Sequence, residues 1–140
     1  MTTAETPAFT WPVRVYYEDT DAGGVVYHAQ YLKYLERART EWLRAAGVEQ
    51  DALLAEQGVV FAVTHVDLRY QRPARFNEAL MVSVVPTRCG RARIAFEQII
   101  TRAGSPGEPL ASATVEVACV DQARFRACAI PDFLTAKLGL

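Results

Sequence analysis

The 140-residue sequence is poor in the residue types that most often carry metals and thiol chemistry. It has two histidines and three cysteines. A protein zinc site needs three or four ligands held together, and His28 and His65 fall on separate predicted elements. Cys89, Cys119 and Cys128 form an odd set without CxxC spacing, which reads as reduced, buried thiols of a cytoplasmic protein. No run approaches the roughly 18 apolar residues that cross a bilayer. Residues 1–12, MTTAETPAFTWP, lack the basic start and apolar run of a secretory signal. There is no GxSxG, GxxxxGK[ST] or GxGxxG, and Ser83, Ser105 and Ser112 have no motif context for a nucleophile. A net charge of −1 supplies no overall field that would draw the chain to nucleic acid.

What the sequence does have suits one folded domain. Its hydrophobic share is 51% and its charged share 22%, close to the soluble globular average. A chain of this length holds a core without disulfides or a metal. Residues 1–12 read as a loose N-terminus and residues 13–140 as a single domain. Thirteen of the 15 basic residues are Arg, the side chain suited to bidentate contact with phosphate or carboxylate.

Residues 13–18, VRVYYE, alternate as a strand does, and the turn-rich DTDAGG at 19–24 breaks it. Tyr31, Tyr34, Leu35, Ala38, Trp42 and Ala46 then recur at helical steps, with Gly47 placed to end the helix. A shorter amphipathic stretch at 49–57 stops at Gly58. Nearly everything after it reads as strand: residues 59–70, 80–86, 92–102 and 110–120. The short breaks at 72–77, 88–91 and 104–109 predict antiparallel hairpins between successive strands. Residues 131–138 predict a closing helical turn or two. With no second crossover helix, a doubly wound parallel sheet is excluded. The order predicts an α+β fold in which an antiparallel sheet wraps around one long central helix.

The segment where strand gives way to helix, Asp19-Thr20-Asp21-Ala22-Gly23-Gly24-Val25-Val26-Tyr27-His28, carries the chemistry. A helix start presents unpaired N–H groups and the positive end of the helix dipole. Glycine lets a ligand or backbone approach closely. A carboxylate just ahead of such a start can attack a carbonyl or activate water, while the helix-start N–H groups hold the developing oxyanion. That combination suits hydrolysis of an activated acyl group, a thioester above all. The same residues also serve as ordinary turns and caps.

WPVRVYYEDTDAGGVVYHAQYLKYLERARTEWLR (residues 11–44) resembles the opening of the YbgC-type acyl-CoA thioesterases, relatives of 4-hydroxybenzoyl-CoA thioesterase. VDLRYQRPARFNEAL (residues 66–80) agrees more loosely. The resemblance implies the hotdog fold, homodimers commonly paired into homotetramers, and active sites at the dimer interface. It implies an acyl-CoA substrate, with catalysis by Asp21 and His28. The backbone N–H groups of Tyr27 and His28 become oxyanion donors, and Tyr17, Gly24, Val25 and Val26 substrate-binding residues. No metal or organic cofactor is required. The same resemblance suggests coenzyme A phosphate contacts at Arg88, Arg91, Arg93 and Arg126, with Arg124 nearby. It also suggests acyl carrier protein as a partner, a link to the Tol–Pal envelope system, and work at the inner membrane face without insertion. His65, Asp67 and Arg69 read as a polar sheet face or a subunit contact. Depth of an acyl pocket rests on how Phe61, Val63, Tyr70, Phe76 and Phe96 pack. Two competing readings are a hotdog dehydratase or hydratase, and a non-catalytic module that binds acyl-CoA or acyl carrier protein.

Overall fold

The computed structural model describes residues 8–140. It contains α1 (Gln30–Ala45), α2 (Gln50–Gln57) and α3 (Asp132–Leu138). The strands are β1 (Phe9–Arg14), β2 (Val59–Tyr70), β3 (Ala79–Arg88), β4 (Arg93–Arg102), β5 (Ser105–Asp121) and β6 (Arg126–Ala127). All pairings are antiparallel, in the order β1-β3-β4-β5-β2, with the short β6 on β5.

The sheet buries one face against α1. Leu80, Val82 and Val84 of β3, Ile94, Phe96 and Ile100 of β4, and Val115 and Val117 of β5 are buried. The helix meets them with Tyr31, Tyr34, Leu35, Ala38 and Leu43, and Trp42 packs edge-on against Phe96 with ring centroids 5.3 Å apart. Leu43 joins the stripe that the spacing marked, while Trp42 and Ala46 are only partly buried. Burying a Leu-sized side chain contributes about 1.5–3 kcal/mol, so this stripe, rather than helix propensity, holds α1 in place.

Several expectations are corrected. The first strand begins at Phe9, not residue 13. Its register from Phe9↔Val84 to Arg14↔Ala79 takes Phe9–Pro12 into the sheet, so they are not a loose terminus; residues 1–7 lie outside the described residues. The strand also stops at Arg14, because residues Tyr17–Asp19 turn into one 3-10 turn.

The break at 72–77 is not a hairpin. β2 pairs with β5 and β3 with β1 and β4, so this link carries the chain from one side of the sheet to the other. Short spacing predicted neighbours, but both edges of β3 are filled, by β1 and β4, and β2 pairs with β5 instead.

The third break narrows to Ala103 and Gly104, with β5 starting at Ser105. Finally, Cys89 is exposed on the β3–β4 turn; only Cys119 is buried, and all three thiols are free.

A bulge between Val63 and His65 alters β2 as well. Residues paired across strands share a face. Phe61 and Val63 therefore share the α1-facing side with Val66, Leu68 and Tyr70, and Ala62 moves to the outer side.

Candidate active site

Asp19 anchors the segment that leads into α1. Its carboxylate is 4% exposed, and its Oδ2 accepts the Tyr16 N–H and the Tyr34 hydroxyl, each at 2.8 Å. Burial, followed by this carboxylate, pushes the Tyr34 phenol's pKa well above its ordinary value. Sequence reading missed Asp19 as an anchor. The acid three residues after Tyr16 is a local capping signal, but nothing local links it to Tyr34 on the helix.

From Thr20 to Val26 the chain closes a small loop. Thr20 bridges Val26, the Asp21 N–H donates to the Val25 carbonyl at 2.9 Å, and the Gly24 N–H donates to the Asp21 carbonyl at 3.0 Å. Gly24 has φ +78°, a conformation that costs an L side chain about 1–2 kcal/mol. The Gly23 N–H donates to Asp21 Oδ1 at 2.8 Å. A methyl group on Gly23 would stand 3.1 Å from that same oxygen. Both glycines therefore serve to present Asp21, whose side chain is exposed to solvent.

The 72–77 link supplies the other wall. Val25 bridges Arg75, and the Val26 N–H donates to the Ala74 carbonyl at 2.9 Å. The Ala74 N–H in turn donates to the Tyr31 hydroxyl at 3.0 Å. Burial raises the Tyr31 pKa, the hydrogen bond from Ala74 opposes the rise, and the Glu78 carboxylate adds to it.

At the start of α1, Ala29 makes no side-chain cap. The Tyr27 N–H donates to the Asp19 carbonyl at 2.9 Å, so it is not available as the expected oxyanion donor. The His28 N–H, the second expected donor, has no hydrogen-bond partner among the described residues, and neither does the Ala29 N–H. The His28 carbonyl accepts the Tyr70 hydroxyl at 2.8 Å, and the His28 ring lies tilted by 49° against that of Tyr27, with centroids 4.4 Å apart.

Val25, Val26, His28, Tyr31, Tyr70 and Arg72 border an open cavity of about 260 Å³. Three of the expected residues thus come together there, with the Asp21 loop beside them. Tyr17 does not line this cavity; it is exposed and packs on Phe76 with ring centroids 5.0 Å apart. Gly24 faces open space. Sequence reading also missed the Tyr70 contact, which joins residues 42 positions apart.

The arginine candidates lie elsewhere. Arg88 ends the 10-residue β3, roughly 30 Å from the Ala79 end that adjoins the Asp21 loop. Its guanidinium is engaged within the turn by the carbonyls of Gly90 and Arg91 and by the Thr135 hydroxyl. It closes the hairpin, which argues against a phosphate contact. Arg91, Arg93, Arg124 and Arg126 are exposed and form no ion pair among the described residues. Among the described residues no three His, Cys, Asp or Glu side chains gather as a metal-binding group. No helix there is long and apolar enough to cross a membrane.

Residues 15–138 match the model of the thioesterase-like superfamily. The chain is 47% identical over 123 residues to an acyl-CoA thioesterase YbgC of Haemophilus influenzae, covering 88% of each. It is 44% identical over 132 residues to an acyl-CoA thioester hydrolase YbgC of Escherichia coli, covering 94% of this chain and 96% of the other. A crystal structure of a probable thioesterase from Bartonella henselae superposes with a TM-score of 0.83 at 33% identity. That match covers 89% of this chain and all of the other. The sheet wrapped around α1 is the hotdog fold, and with these matches along nearly its whole length the chain belongs to the thioesterase-like superfamily, among its YbgC-type members.

Proposed function

We propose that the chain hydrolyses acyl-CoA thioesters to a free acid and coenzyme A, with Asp21 as the reacting carboxylate. The observation that carries this reading is the uncapped start of α1 beside the Asp21 loop, where the His28 N–H has no partner among the described residues. A thioester carbonyl placed there receives the His28 N–H, joined by that of Ala29, and the oxyanion formed on attack is held at the positive end of the helix. Oδ1 of Asp21 is fixed by the Gly23 N–H, leaving Oδ2 to react. Two routes share this geometry. In one, Oδ2 attacks the carbonyl, expels the thiolate and forms an anhydride that water then opens. In the other, it takes a proton from the attacking water. In either case the leaving thiolate gains a proton, for which the His28 ring, at the border of the cavity, is the proposed donor. Turnover in ¹⁸O-labelled water separates the routes, since only the anhydride can leave label in Asp21.

A homodimer formed along the outer edge of β2 belongs to the same proposal. Supporting it, that edge has no strand partner among the described residues and exposes Val63, Val66 and Tyr70, an arrangement that invites pairing with a second copy. Antiparallel pairing there sets the Tyr70 end of one β2 beside the Val59 end of the other. Because Arg91 and Arg93 lie far from Asp21 within one chain, a coenzyme A phosphate contact by this hairpin, or by Arg126, is proposed to come from a neighbouring copy. Pairing of dimers into tetramers, and association with the inner membrane face or the Tol–Pal system, rest on the family resemblance alone.

The test is thiol release from a panel of short, long and aromatic acyl-CoAs, and from acyl carrier protein bearing the same thioesters, with wild type and Asp21→Asn. Turnover that falls about 10²- to 10⁴-fold in the variant, with ligand binding retained, supports the reading. Undiminished turnover in Asp21→Asn overturns the assigned role. Binding without turnover across the panel favours a non-catalytic binding module.

A further inference from the structure

A second cavity, of about 160 Å³, lies between α1 and the sheet. Its apolar walls are Leu43, Phe61, Ile94, Phe96 and Val117, and it reaches the free β2 edge at the half-exposed Val63. An apolar space of about this size accommodates a benzene-sized group. Two charged side chains reach it, Glu36 and Arg39, and they form no ion pair with each other. Arg39 has one hydrogen-bond partner among the described residues, Oε1 of Gln98 at 3.1 Å. A guanidinium carries five N–H donors, so most of its capacity is unassigned.

Gln98 explains why Arg39 stands there. It is 1% exposed on the otherwise apolar inner face of β4. Its Nε2 donates to the Leu35 carbonyl at 3.1 Å, which turns the amide oxygen towards Arg39. A buried amide is costly unless paired; here the pairing fixes a cation at the wall of an apolar cavity. Burial pulls the Arg39 pKa down, and Glu36 acts against that shift. The result is a partly desolvated cation short of acceptors.

We propose that this cavity receives the distal end of the acyl group, and that Arg39 selects acyl groups ending in a carboxylate. The inference rests on the hydrolase reading and on the β2-edge dimer. Within one chain, Arg39 lies nine residues along α1 from Gln30, roughly 14 Å from the helix start that holds the proposed oxyanion donors, too far for a compact acyl group to bridge. In the antiparallel dimer, the Phe61 and Val63 wall of one copy lies near the Tyr70–His28 pair of the other. A carboxylate arriving there can take two guanidinium donors at once.

The experiment compares kcat/KM for hexanoyl-CoA and for its six-carbon ω-carboxyl analogue, adipoyl-CoA. Wild type is expected to favour the ω-carboxyl substrate by about tenfold or more, the size of one charge-assisted contact. In Arg39→Met the ratio falls to about one, chiefly through a higher KM for adipoyl-CoA, and Arg39→Lys gives an intermediate ratio. Hydrolysis of hexanoyl-CoA by wild type without that preference overturns the Arg39 proposal and leaves the hydrolase reading standing. An unchanged ratio in a folded Arg39→Met overturns it too, since a merely structural arginine lowers both substrates alike. If Arg39→Met does not fold, the wild-type ratio and Arg39→Lys decide. Absence of hydrolysis across every acyl thioester overturns both readings.

Discussion

The Tyr70 hydroxyl donates to the main-chain oxygen of His28 at 2.8 Å, and that oxygen shares a peptide plane with the Ala29 N–H. A side chain at the end of β2 therefore fixes the orientation of the uncapped helix start on which the proposed oxyanion site depends. Tyr70→Phe removes the bond and leaves the ring. It is expected to lower kcat about tenfold, equivalent to about 1.4 kcal/mol of transition-state stabilisation, while KM moves by no more than about twofold. Steady-state kinetics check the split; equal changes in kcat and KM would assign Tyr70 to substrate binding instead.

Gly23 and Gly24 adjoin each other and are expected to fail differently. Gly24→Ala meets no neighbouring atom but must adopt φ +78°, so thermal unfolding should show a loss of about 1 kcal/mol. Gly23→Ala keeps an ordinary backbone but crowds Asp21 Oδ1. It should cost less stability and more turnover than Gly24→Ala. Paired melting curves and rates for the two variants are the check.

Asp19 holds two donors in the interior. Asp19→Ala strands the Tyr34 hydroxyl and the Tyr16 N–H, and a cost of about 3 kcal/mol is expected from leaving them unpaired. Tyr34→Phe should cost less, because Asp19 keeps the Tyr16 N–H. The double variant should cost less than the sum of the two. Urea unfolding of the four proteins measures the coupling; additive losses would mean that the contact contributes nothing of its own.

Alkaline pH provides a separate test. Burial raises the pKa of Tyr31, Tyr34 and Tyr70 above the ordinary 10.0, with the Asp19 carboxylate adding to the effect on Tyr34. Their folded-state pKa values thus exceed the unfolded value. The stability from keeping these phenols protonated is complete below pH 10 and declines as pH rises above it. Unfolding free energy should therefore fall above pH 10, and Tyr34→Phe should flatten that decline. A wild-type curve that stays level through this range would contradict the burial argument.

Local patterns made much of this legible. The stripe from Tyr31 to Ala38 exposed α1, alternation exposed the inner faces of β3, β4 and β5, and turn residues marked most boundaries, because these features depend on neighbours within a few positions. The run from Asp21 to His28 likewise announced a carboxylate ahead of a helix start. Alternation misjudged β1, since pairing with β3 decides where that strand begins and ends. Spacing also placed β2 beside β3, although a short link limits distance without choosing which strand edge is filled.

Sequence by itself determined the element types, the central helix and the carboxylate with its glycines, all set by local periodicity and backbone stereochemistry. Tertiary structure decided which N–H groups are free. The Tyr27 N–H is taken by the Asp19 carbonyl, while that of His28 is left open among the described residues. It also decided that Tyr70 orients His28, that Gln98 fixes Arg39, and that the Arg88 hairpin stands at the far end of the sheet. A hydrogen bond between groups tens of residues apart leaves no periodic trace in the chain, because its partners meet only when strands and helix pack.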